Sequence, residues 1–108
     1  MLNKLAKEIN DLNKLKGFWD GEDDIPNKAS VGLRIALMHS ELSEALEAHR
    51  SSVYDDKLPE YLGLHVELID ALIRILDFCG YYNINVDEIV AKKLEYNKSR
   101  PFKHGKQY

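Results

Sequence analysis

A single cysteine in 108 residues excludes an intrachain disulfide and fits a reducing compartment. Cys79 lies in an apolar run and reads as a small buried side chain rather than a nucleophile. No apolar run reaches the ~18 residues that a membrane span needs. Lys4, Lys7 and Glu8 interrupt the first apolar positions, so no signal-peptide core is expected and the expected location is cytoplasmic. The excess of either charge is small: the net charge is -3 with 31% charged residues, too mild to imply a nucleic-acid polymer or a membrane as partner. Several reaction signatures are also absent. The chain has no HExxH, P-loop, GxGxxG or GxSxG, and no Glu precedes a His by three positions as in di-iron bundles. His65-Val66-Glu67 has the start of a zinc-deaminase motif without the PCxxC that completes it. His39, His49, His65 and His104 read as capping, surface or packing residues, with His104 the best placed for an anion. Asn97-Lys98-Ser99 matches a glycosylation sequon by chance, given the expected compartment.

What is present is helical periodicity. At 108 residues one domain is expected, spanning 1–108, with a basic tail over 97–108. Leu2, Leu5, Ile9 and Leu12 form one stripe of an amphipathic first helix over 2–16, stopped by Gly17. Residues 17–27, with two glycines, a proline and an acidic cluster at Glu22–Asp24, read as a loop. Phe18 and Trp19 within it are either core plugs or a stacking surface for a planar ligand. A second helix runs from near Lys28 or Ser30 to about Arg50, and a third from about Glu60 to Cys79, with Pro59 at its first turn and Gly80 at its end. Asn85 with Glu88 three residues on predicts a capping box for a fourth helix reaching about Asn97. Four helices and no sheet give an all-α fold.

The third helix is the unusual one. In Leu64–Cys79 the polar residues Glu67, Asp70, Arg74 and Asp77 recur at i, i+3, i+7 and i+10, one narrow seam along an apolar rod expected to be buried nearly all round. Glu41 and Glu44 make a second carboxylate pair at i, i+3 on the helix before it. If the two helices pack antiparallel, four carboxylates converge, and their mutual repulsion requires a counter-charge. An all-oxygen set of this kind suits Mg²⁺, with Mn²⁺ as a substitute, rather than zinc. The alternative is a structural network in which Arg34 and Arg74 neutralise the seam without metal. A chain this short with several buried acids is expected to be an oligomer.

These residues carry a family resemblance. Glu41-x-x-Glu44 followed, after positions 45–66, by Glu67-x-x-Asp70 resembles the metal-binding signature of the MazG-like, all-α nucleoside triphosphate pyrophosphohydrolases. Lys93, Tyr96-Asn97, Arg100-Pro101 and Lys103-His104-Gly105-Lys106 resemble the C-terminal segment of the compact members, so the likeness covers most of the chain from the second helix onward. One departure is Ser40, where many members carry an acid beside the position of Glu41, which leaves one fewer candidate ligand or base and the metal count open. The resemblance implies a four-helix MazG-like bundle completed by homo-oligomerisation, as a dimer or tetramer. It also implies hydrolysis of a (deoxy)nucleoside triphosphate to monophosphate and pyrophosphate, in nucleotide-pool cleansing. Glu41, Glu44, Glu67 and Asp70 would then serve as metal ligands and catalytic residues, with Glu44 or Glu47 as the water's base. Lys93 and Asn97, with Arg100 and Lys103, would face the phosphates, and Trp19, with Phe18, would stack on the base. Phosphoribosyl-ATP pyrophosphohydrolase is a second activity in the same superfamily, disfavoured by the Trp19 loop and the basic tail. A non-catalytic regulatory or oligomerisation module is the contrasting class.

Overall fold

The computed structural model describes residues 1–22 and 27–107, with backbone alone at 27 and 28. They form four α-helices: α1 (Leu2–Leu15), α2 (Asn27–Ser51), α3 (Gly63–Tyr81) and α4 (Val86–Ser99), followed by a 3-10 turn at Phe102–Gly105. The fold is all-α. Among the described residues there is no strand, and the one extended pairing is the bridge between Tyr54 and Leu62 that closes the α2–α3 connection. No helix among them is long and apolar enough to cross a membrane. The acidic cluster expected at Glu22–Asp24 lies outside the described residues except for Glu22.

Local chemistry explains the helix ends. Gly17, just beyond α1, has φ +90, a left-handed conformation that favours glycine. α3 starts at Gly63 rather than at Glu60, because the Asp55 carboxylate accepts the N–H groups of Lys57 (2.9 Å) and Leu58 (2.7 Å) and holds that stretch in a turn. Gly80 does not end α3, which continues to Tyr81. A Cβ at Gly80 would stand 2.4 Å from the Ala6 carbonyl oxygen, so this glycine permits a close helix crossing instead of a cap. Asn85 caps α4 by accepting from Glu88 N–H at 3.2 Å, as the capping box predicts. Asp87, one residue inside α4, accepts the Leu2 (2.7 Å) and Asn3 (3.2 Å) amides and so caps α1 as well.

α3 is the central element, packed against α1 on one side and α2 on the other, while α4 meets α1. The buried face of α1 is Ala6 and Asn10, not the leucine stripe that periodicity singles out; Leu12 is 54% exposed. The reason is proximity. Small Ala6 lets α1 approach Gly80, and Asn10 Nδ2 reaches Asp77 Oδ1 at 2.9 Å. α3 is likewise not buried all round. Its polar seam turns inward, with Asp77 buried and Glu67 and Asp70 half-buried, while Leu68, Ile69, Leu72 and Ile75 stand outward, Leu72 at 44%. No residue of α4 is buried.

Candidate metal centre

α2 and α3 run side by side, and each supplies one member or more of a carboxylate group. One ligand oxygen from each of Glu41, Glu67 and Asp70 lies within 4.8 Å of the others. The i, i+3 spacing of Glu67 and Asp70 aims both toward α2, where Glu41 is buried. Glu44, a turn beyond Glu41, interacts with Glu67 and Glu41 but is exposed and outside this set of three.

Electrostatics reflect the crowding. Glu67 is pushed up to about 7, first by burial and then by its contacts with Glu41 and Glu44 and the charge of Asp70. Burial also pushes Asp70 up, joined by the charges of Glu41 and Asp55 and opposed by Arg74. Burial works the same way on Glu41, but the Arg74 hydrogen bond and the contacts with Glu44 and Glu67 outweigh it and bring that carboxyl below its usual range. Crowding thus favours the protonated form of Glu67 and the ionised form of Glu41. Glu67 Oε2 is buried and has no hydrogen-bond partner among the described residues.

Arg74 Nε donates to Glu41 Oε1 at 2.8 Å, the one ion pair to the three carboxylates among the described residues. Arg34 does not reach them. Its Nη2 donates to Glu22 Oε2 (2.7 Å) and to the Phe18 carbonyl (3.2 Å), and Ser30 Oγ donates to the other Glu22 oxygen. Desolvation raises the Glu22 pKa, but Ser30 and Arg34 outweigh it and leave that carboxyl below its ordinary value. The sequence-level alternative, a seam neutralised by both arginines, is thus met by Arg74 alone.

Glu41 and Asp70 open on a cleft of about 410 Å³ whose lining also includes Arg74, Arg34, Phe18, Asn13 and Asp20. Trp19 is 6% exposed, with Tyr81 stacked on it at 3.8 Å and 7° and the Arg34 guanidinium 3.4 Å from its ring centre. Its Nε1–H donates to Asp77. Both faces of Trp19 are covered, as in a core plug, and the aromatic ring that lines the cleft is Phe18, 66% exposed.

Within one chain, the basic residues of α4 and the tail stand elsewhere. Lys93, Asn97, Arg100 and Lys103 are absent from the lining of the cleft. Lys93 and Arg100 lie over the Tyr96 ring at 5.1 and 5.6 Å, and Lys103 Nζ donates to the Gln107 carbonyl at 3.3 Å. Sequence reasoning missed Asp55 as a neighbour of the carboxylates and named Arg74 only within the alternative ion network. Arg74 was legible as the residue one turn after Asp70 on the same seam, but that spacing fits a pairing with Asp77 equally well. No family model, curated protein or solved structure matches the chain.

Proposed function

We propose that this chain is a Mg²⁺-dependent pyrophosphohydrolase of the MazG-like, all-α kind, converting a (deoxy)nucleoside triphosphate and water into the monophosphate and pyrophosphate. The observation that carries the reading is the convergence of Glu41, Glu67 and Asp70 within 4.8 Å, two of them at the wall of a cleft, with Arg74 the one ion-pair partner among the described residues. The donor set fits the ion: the ligands are all carboxylate oxygens, and Glu67 Oε2 is buried with no partner among the described residues. When bound, Mg²⁺ supplies neutralisation of phosphate oxygens and a polarised water. Glu41, Glu67 and Asp70 would hold it, and Glu44, at their exposed edge, would take the proton of the attacking water. The cleft is within the range of roughly 300–1,000 Å³ found for small-molecule sites, and Phe18 offers the open ring on which a base stacks.

A homodimer or homotetramer is part of this reading. The chain exposes 8461 Å², against roughly 6,200 Å² for a folded monomer of this mass. Its radius of gyration is 16.6 Å, against about 13 Å for a compact chain of this length. Leu5 and Leu12 of α1, Leu33, Leu42 and Leu46 of α2 and Leu68 and Leu72 of α3 are exposed, apolar surface that a second copy would cover.

Incubation with Mg²⁺ and a panel of nucleoside and deoxynucleoside triphosphates, with phosphoribosyl-ATP included, tests the activity. Pyrophosphate release that Glu67→Gln and Asp70→Asn each lower by about a hundredfold or more is the expected result. Absence of pyrophosphate from every substrate overturns it.

A further inference from the structure

The two guanidinium groups that line the cleft are used differently. Arg34 is committed: its Nη2 donates to Glu22 and to the Phe18 carbonyl, and its plane lies on Trp19. Arg74 is anchored at one point, Nε to Glu41 Oε1 at 2.8 Å, and neither of its terminal nitrogens donates to any other described residue. Its side chain is 42% exposed while Glu41 is buried, so the anchored end lies inward and the rest is open. A guanidinium held by a carboxylate at Nε keeps a planar pair of N–H donors in fixed orientation, the geometry that matches two oxygens of a phosphate. It stands one helical turn from Asp70 and is paired with Glu41, the positions that hold the metal in the function proposed above.

We propose that Arg74 receives the polyphosphate of the substrate, with Glu41 as the residue that positions it. The inference rests on the pyrophosphohydrolase reading and assigns a phosphate contact inside the same chain, separate from the basic residues of α4. Arg74 serves two ends. As a positive charge beside three carboxylates it opposes cation binding, and as an anchored donor pair it favours anion binding. Its removal therefore moves the two affinities in opposite directions, and the charge-conserving Arg74→Lys separates a forked contact with phosphate from the effect of charge alone.

The test is a pair of titrations on the full chain with Arg74→Met and Arg74→Lys. Mn²⁺ binding is read by electron paramagnetic resonance without phosphate, and inorganic pyrophosphate binding by calorimetry at saturating Mg²⁺. For Arg74→Met the expected result is a Kd for Mn²⁺ lowered by about tenfold and a Kd for pyrophosphate raised by about thirtyfold. Arg74→Lys keeps the Mn²⁺ affinity near that of the unaltered chain yet still weakens pyrophosphate, because an ammonium cannot hold Glu41 and fork a phosphate together. The lysine variant also covers the case in which the methionine variant does not fold. A pyrophosphate Kd unchanged in both variants, with Mn²⁺ still bound, overturns the assignment of Arg74 and leaves the metal reading intact. Failure of the unaltered chain to bind Mn²⁺ overturns both.

Discussion

The indole N–H of Trp19 donates to both carboxylate oxygens of Asp77, at 3.0 and 3.1 Å. Asn10 donates to the same carboxylate at 2.9 Å, so the loop after α1, α1 itself and α3 meet at one buried acid. Asp77→Ala strands two donors in a dry site and is expected to destabilise the chain by about 2–4 kcal/mol in urea unfolding. Trp19→Phe is expected to cost about 1.5–3 kcal/mol. In the double variant the costs fall short of additivity, because both remove the same bond. Simple addition of the two costs would show that the bond contributes nothing.

Gly80→Ala sets helix propensity against close packing. Alanine favours a helix interior by about 1 kcal/mol over glycine. Here its Cβ would meet the Ala6 carbonyl oxygen at 2.4 Å, a backbone atom that moves only if α1 moves. A net loss of about 1–3 kcal/mol, read by thermal unfolding, is expected. A gain in stability would show that the α1–α3 crossing has slack.

The carboxylate group makes stability depend on pH in a definite direction. Glu67 is pushed from the usual 4.5 up to about 7. Between those values the unfolded chain has released this proton while the folded chain retains it, so metal-free stability falls as pH rises through the window and levels off above it. Glu22 and Glu41, held below their usual values, act oppositely: their stability is present above the ordinary carboxylate range and lost as the pH falls. Glu67→Gln is expected to remove the fall between about 4.5 and about 7 in a series of thermal unfolding curves.

Metal binding competes with the same proton. The rise in Tm caused by Mn²⁺ is expected to be larger at about pH 8 than at about pH 5, and to be abolished in Asp70→Asn. Equal shifts at both pH values would place the ion away from Glu67.

The outward stripe Leu68, Leu72 and Ile75 on α3 is expected to be covered in solution. Sedimentation of the unaltered chain should give at least twice the 12.5 kDa chain mass. Leu72→Glu is expected to shift it to the single-chain mass and, on the proposed function, to lower pyrophosphate release by about tenfold or more. A single-chain mass for the unaltered protein would remove the oligomer from the reading.

The residue order by itself determined the four helices, because their apolar periodicity, the Asn85–Glu88 cap and the stop after α1 are local effects. It also determined that Glu67 and Asp70 share a face, since helical spacing leaves no other choice. Which face turns inward was decided only in three dimensions. Periodicity predicts that the leucines of α1 seek the core, but Ala6, Asn10 and Gly80 set a crossing too close for them. The same holds for the two arginines, whose seam positions fit several partners. Packing gave Arg34 to Trp19 and Glu22 and left Arg74 beside Glu41, because a guanidinium pairs with whichever carboxylate the fold brings within about 3 Å.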